Sequence, residues 1–161
     1  MIVAGVGCRR GASAPDIEAA IRAALDRAGI ASHALDCIAT TAAKHGETGI
    51  AAAAAKLGVD LVLIPEAELQ AANDRTETRS GRVLALTGVH SVAEAAALAA
   101  AGPTARLLEQ LFAAPIGQSD VKLEVRYCVG GVIGDPWGVP LSRATMVPSG
   151  ICMGALSHRS T

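Results

Sequence analysis

Three times in the first 72 residues a short apolar run gives way to a turn and then to a segment of helical character. Parallel strands can be joined only by a crossover, most often a helix, so this alternation limits the chain to a small set of α/β arrangements. Residues 2–7 are apolar and end in glycines, which predicts a strand. After Ser13 the apolar positions Ile17, Ala20, Ile21, Ala24, Leu25 and Ala28 recur at helical spacing, with Pro15 in the first turn and Gly29 placed to end the helix. Ser13 and Asp16 have the spacing of a capping box. The second unit is a strand over 35–40, a polar turn through Lys44, His45, Gly46 and Glu47, and a helix over 50–57 closed by Gly58. The third is a strand over 59–64 stopped by Pro65, then a short helix over 66–72. The predicted fold class is α/β, a three-layer α/β/α arrangement with a mostly parallel or mixed sheet of about five strands.

Residues 73–80 read as a polar, charged loop, and Val83 to Leu86 fits either a strand or a helical turn. Ser91 to Ala101 is the clearest later helix. Ser91 and Glu94 stand in capping-box spacing, and Gly102-Pro103 is its stop. From residue 103 onward lie all three aromatics and five of the seven prolines. One further strand is predicted over 121–129, with Val121, Leu123, Val125 and Tyr127 on one face. Residues 130–161 are punctuated by glycine and proline and show no helical period. The expected organisation is therefore one domain over 1–129 and an irregular C-terminal extension over 130–161, its apolar residues compatible with a homo-oligomer.

Charge and composition exclude several classes. The net charge is −1, so no overall basic field exists to hold nucleic acid or an anionic membrane surface, and any anion site must be local. No uncharged apolar stretch approaches a membrane span, and the N-terminus meets its arginines only after its apolar run, the reverse of a secretory signal; a cytoplasmic protein is expected. The four cysteines, Cys8, Cys37, Cys128 and Cys152, form no CxxC pair, so neither a disulfide framework nor a metal site is expected. Alanine supplies 34 residues, and a core of such small side chains suits closely packed helices.

The densest chemistry lies at the first turn, Gly5-Val6-Gly7-Cys8-Arg9-Arg10-Gly11, between a predicted strand and a predicted helix. Backbone N–H groups and a helix N-terminus there favour an anion, and guanidinium groups bind carboxylate or phosphate bidentately. The alternative, that the glycines only make a tight turn and Arg9 and Arg10 are solvated, is the lesser reading, because adjacent arginines beside a helix N-terminus more often hold carboxylate or phosphate. The spacing is G-x-G-x-x-x-G, and the nearby acid Asp36 precedes the second strand instead of ending it, which disfavours a dinucleotide fold; no P-loop lysine follows. Cys8 is the candidate nucleophile, since cationic neighbours favour thiolate, although a cysteine ending a strand also reads as a small core residue. His45 and Glu47 are candidate bases or anion contacts, and read equally as solvated loop residues. Lys44 is a candidate carboxylate contact. His90, just before a helix cap, reads as local surface structure.

The run GVGCRRGASAPDIEAAI resembles the opening of the CobE/CbiG C-terminal family of cobalamin biosynthesis. Lys44-His45-Gly46-Glu47-Thr48-Gly49 is similar to the family's Lys, Glu, Gly turn, and Gly88 to Leu98 to its Ser-Val-Ala-Glu-Ala helix start. The resemblance covers about residues 1–108. Ala105 to Leu108 is similar to the first of two short strands that close the family's domain. Val121 to Val129 is the candidate for the second, and the remainder is either a lineage-specific extension or an altered chain end.

The resemblance implies a function in cobalamin biosynthesis. In longer proteins of the anaerobic pathway such a domain belongs to a hydrolase that opens the δ-lactone of cobalt-precorrin-5A and releases acetaldehyde; a domain standing alone is similar to the aerobic pathway's members, for which binding or handing on a precorrin is implied. A precorrin is a partly apolar macrocycle rimmed with acetate and propionate groups, so Gly5, Gly7, Cys8, Arg9, Arg10, Gly11, Ser13, Lys44 and Glu47 are the expected ligand-binding residues. Partners implied are the tetrapyrrole intermediate and other enzymes of the pathway; no cofactor is expected. The alternative is a general α/β domain that binds a nucleotide or phosphate.

Overall fold

The computed structural model describes residues 1–108, 112–115, 122–129 and 146–147 of the chain. Its elements are β1 (Ile2–Gly7), α1 (Ala14–Ala28), β2 (Cys37–Thr41), α2 (Thr48–Leu57), β3 (Asp60–Ile64), α3 (Glu66–Ala72), α4 (Gly81–Thr87), α5 (Val92–Ala101), β4 (Arg106–Leu107), β5 (Phe112–Pro115), β6 (Lys122–Val129) and β7 (Met146–Val147). The sheet runs β4-β6-β1-β2-β3-β7, with β5 also beside β6. Five strands have four residues or more, and two-residue strands finish the edges. β1, β2 and β3 are parallel, with Val3 opposite Cys37 and Cys37 opposite Asp60; β6 runs antiparallel to β1, with Val3 opposite Cys128. The sheet is therefore mixed, as the alternation of elements predicts.

The strands' period of two divides the core into two layers. Ala4, Val6, Ile38, Leu61 and Leu63 face α1 and α2, where Ile17, Ile21, Leu25, Ile50 and Ala53 are buried. Val3, Cys37, Ala39, Val62 and Ile64 face the other way, toward Leu69 of α3 and Ala96, Ala97 and Leu98 of α5. At the end of β6 Tyr127 joins the first layer and donates a 2.6 Å hydrogen bond to the Ile21 carbonyl, while Cys128 joins the second. The alanine content explains α5: its residues 93–98 are buried on every side, and small side chains let the helix lie close on β1. A Cβ at Gly5 would collide with the carbonyl oxygen of Ala93. The glycine that the sequence marks as part of a ligand turn is thus required by helix–strand packing.

Local details refine several expectations. The segment Val83 to Leu86 is helical, in α4, because Ser80 caps it and accepts from Val83 N at 3.3 Å. Ser91 caps α5 as expected, accepting from Glu94 N at 3.3 Å, and the Glu94 side chain also reaches beyond its own helix. Its carboxylate, fully buried, accepts hydrogen bonds from Glu77 N (2.7 Å), Thr78 N (2.9 Å) and Thr78 Oγ1 (2.7 Å), pinning the loop before α4. The predicted strand over 121–129 is β6. Of the extension over 130–161, Met146 and Val147 pair antiparallel with Val62 and Leu61; the rest lies outside the described residues. Among the described residues no single helix is long and apolar enough to cross a membrane.

Candidate functional site

The carboxyl ends of β1 and β2 carry the two turns that the sequence singles out, and the structure brings them together. Glu47 caps α2 only by its backbone; its Oε2 reaches across to accept from Gly11 N at 2.9 Å. Gly11 has φ +75, a conformation that an L side chain rarely adopts, and this presents its N–H to the carboxylate. The fit is tightened from beneath by Gly49, where a Cβ would collide with the Ala12 carbonyl oxygen. Thr40 fixes the strands, its buried hydroxyl donating to the Val6 carbonyl at 2.8 Å. The second turn is a short 3-10 coil, Ala42–Lys44, in which Thr41 Oγ1 accepts from Ala43 N at 3.3 Å. Thr40 and Thr41 are not among the residues the sequence marks as a site, and Gly49, which it marks only as part of the second turn's motif, carries a readable signal as a glycine at the head of an alanine-rich helix where nothing local demands one.

Cys8 directly follows β1, half-buried against the layer below, and Lys44 and Glu47 are its charged neighbours. Burial pushes the thiol up from its ordinary range, more than Lys44 draws it down, and Glu47 adds to the rise. The expectation that neighbouring arginines favour thiolate is therefore corrected: desolvation dominates, and Cys8 is held as a thiol at neutral pH. Arg9 and Arg10 are both exposed on the turn. Neither they nor Lys44 form an ion pair among the described residues.

The N-terminus of α1 is already occupied. Ser13 Oγ donates to Asp16 Oδ2 at 2.7 Å and accepts from Asp16 N at 3.3 Å, so Ser13 is spent on capping and a carboxylate sits in the first turn. His45 lies exposed at the tip of the second turn, and among the described residues no hydrogen bond joins it or Glu47 to Cys8. Asp36 stands at the far end of the sheet, accepting from Ile2 N at 2.7 Å. On the other face of β1, Val92 and Ala93 at the start of α5 lie against Gly7, so the α4–α5 corner rises at the same end of the sheet as the two turns. His90, in that corner, departs from the surface role expected of it: its Nδ1 is buried with no hydrogen-bond partner among the described residues, while its backbone N–H donates to Asn73 Oδ1 at 2.8 Å. Among the described residues no cluster of His, Cys, Asp and Glu could hold a metal ion.

A family model described as cobalamin synthesis G C-terminus matches residues 2–116. Protein CobE from Sinorhizobium sp is 38% identical over 109 residues, which are 68% of this chain and 71% of that protein. Among solved structures, CobE, described as a protein from the cobalamin (vitamin B12) biosynthetic pathway, superposes with a TM-score of 0.70 at 32% identity, covering 80% of this chain and 92% of that one. The cobalamin biosynthesis protein chiG from Agrobacterium tumefaciens str. C58 superposes with a TM-score of 0.64 at 36% identity, covering 82% of this chain and 100% of that one.

Proposed function

The chain belongs to the cobalamin synthesis G C-terminus family and is a cobalamin biosynthesis protein, and from that premise we propose that it binds a precorrin intermediate at the carboxyl ends of β1 and β2. The observation that carries the reading is the state of the charges there. Arg9, Arg10 and Lys44 have no ion-pair partner among the described residues, while the one acid of the two turns, Glu47, is engaged by Gly11 N. Three cations on adjoining turns suit a ligand with several carboxylates around its rim.

Binding is favoured over lactone hydrolysis on the same geometry. Hydrolysis calls for a nucleophile or water activated by a base and a donor for the developing oxyanion. Cys8 is held protonated by burial, and Glu47 serves to fix the first turn. A nucleotide or phosphate ligand fits less well, since Ser13 Oγ and Glu47 Oε2 already take N–H groups that would cradle phosphate. On this reading the protein works in the cytoplasm and hands the intermediate between enzymes of the pathway.

Incubation with precorrin intermediates, followed by absorbance and mass analysis, tests the proposal. Complex formation with the ligand's mass unchanged is expected, and release of a two-carbon fragment would replace binding with hydrolysis. Arg9→Ala combined with Arg10→Ala should weaken the complex at least about tenfold without unfolding the chain, because charge-assisted contacts contribute roughly 1.5 to 3 kcal/mol each. Unchanged affinity in a folded double variant would remove the first turn from the site.

A further inference from the structure

The segment from Arg79 to Gly88 has no part in the site so far described. α4 buries none of its residues, leaving Leu84 37% and Leu86 77% exposed, and Arg79 and Arg82 are also exposed without an ion pair among the described residues. Arg82 and Leu86 stand one helical turn apart and so share a face. A short helix that contributes nothing to the core, yet joins apolar surface to uncommitted guanidinium groups, is matched to an amphipathic ligand.

The arm is held at both ends and free between them. Before it, Glu94 grips Glu77 N, Thr78 N and Thr78 Oγ1; after it, Val89 is buried and His90 N is bonded to Asn73 Oδ1. Gly81 opens the helix, and Gly88, at φ +78, closes it. Its foot leads through His90 into Val92, which lies against Gly7, where the first turn begins. Among the described residues the buried Nδ1 of His90 has no hydrogen-bond partner, which is an unfavourable state.

We infer that the arm over 79–88 is the second wall of the tetrapyrrole site: Leu86 lies on the apolar face of the macrocycle, and Arg79 and Arg82, the latter on the same face of α4 as Leu86, take carboxylates on the side opposite Arg9 and Arg10. The inference rests on the reading of the two turns as the carboxylate site. It gives the ligand's ring a cover that those polar turns lack, and its charge complements the same ligand.

Uroporphyrin, a macrocycle bearing eight carboxylates, serves as the probe, with binding followed by fluorescence and trypsin cleavage after Arg79 and Arg82 followed by mass spectrometry. Saturating macrocycle should slow cleavage at both positions in the unaltered protein. Leu86→Ser should weaken binding at least tenfold while circular dichroism is unchanged, and Arg79→Gln with Arg82→Gln should weaken it and flatten its dependence on salt. If the unaltered protein binds no macrocycle, the turn site and the arm fall together. If Arg9→Ala with Arg10→Ala abolishes binding while the leucine variant binds normally and cleavage is unprotected, the arm alone is overturned. A leucine variant that changes only its oligomeric state would make α4 a contact between copies and overturn the inference likewise.

Discussion

Glu47 Oε2 accepts a 2.9 Å hydrogen bond from Gly11 N, joining two turns that are 36 residues apart in sequence. The contact converts a candidate base into a positioning group. A carboxylate bonded to a backbone N–H holds the loop that carries Arg9 and Arg10, and its charge bears on the Cys8 thiol beside it.

Glu47→Ala should release the first turn, lowering stability by about 1 kcal/mol for one partly exposed bond and weakening precorrin binding. Glu47→Gln keeps an acceptor oxygen and should retain most of the affinity. Titration calorimetry on both variants separates the roles: equal loss in the two would mean that the negative charge itself acts on the ligand.

The packing of α5 on β1 makes a sharper prediction. Gly5→Ala places its methyl on the Ala93 carbonyl oxygen, where backbone must move, so a loss of about 3 kcal/mol or more is expected. Gly7→Ala meets its nearest atom, Ala93 N, at 3.4 Å and should change stability by less than about 1 kcal/mol. Denaturant unfolding of the two variants, neighbours on the same strand face, provides the comparison. Equal stabilities would mean that α5 does not approach β1 as described.

Elements with strong local signals were legible in the sequence. The period of Ile17, Ile21 and Leu25, the Ser13 cap and the closing Gly29 define α1 without help from the rest of the fold. The segment over Val83 to Leu86 was not legible, because its apolar residues face no core and four such residues satisfy either period. The site was legible as a set of residues but not as an arrangement. Spacing cannot show that Glu47 would reach Gly11, that Gly5 serves α5 instead of a ligand, or that burial would outweigh cationic neighbours at Cys8. Each of these depends on contacts between residues at least 36 positions apart or on the depth of a side chain.

Ser91 and Glu94 illustrate the same point in energetic terms. Ser91→Ala removes one cap and should cost about 1 kcal/mol. Glu94→Ala removes the acceptor for two backbone N–H groups and a hydroxyl in a buried setting, and should cost at least twice as much, since hydrogen bonds to charged groups contribute about 1.5 to 3 kcal/mol each. Hydrogen exchange gives the specific signature: the amides of Glu77 and Thr78 should lose protection in Glu94→Ala and keep it in Ser91→Ala. Matching exchange in the two variants would show that the carboxylate does not hold this loop.

The thiols report on the site and the core separately. Burial, with Asp36 and Asp60 adding to it, pushes Cys37 up to about 12, whereas an unfolded thiol ionises near about 8.5. Between those values the unfolded chain gives up a proton that the native state keeps, so the stabilising contribution of the buried thiol is fully present below the unfolded value and is lost as pH rises toward the folded one. Stability should therefore decline above about pH 8.5, and Cys37→Ala should lessen that decline. Cys8 is half-buried, and its alkylation at pH 7, read by peptide-resolved mass spectrometry, should be slower than that of a free thiol and faster than that of Cys37. Lys44→Met removes the charge that draws the Cys8 thiol down and should slow the reaction further. Glu47→Gln removes one that raises it and should speed the reaction. Rapid alkylation of Cys8 at neutral pH in the unaltered protein would restore it as a nucleophile and reopen the hydrolytic reading.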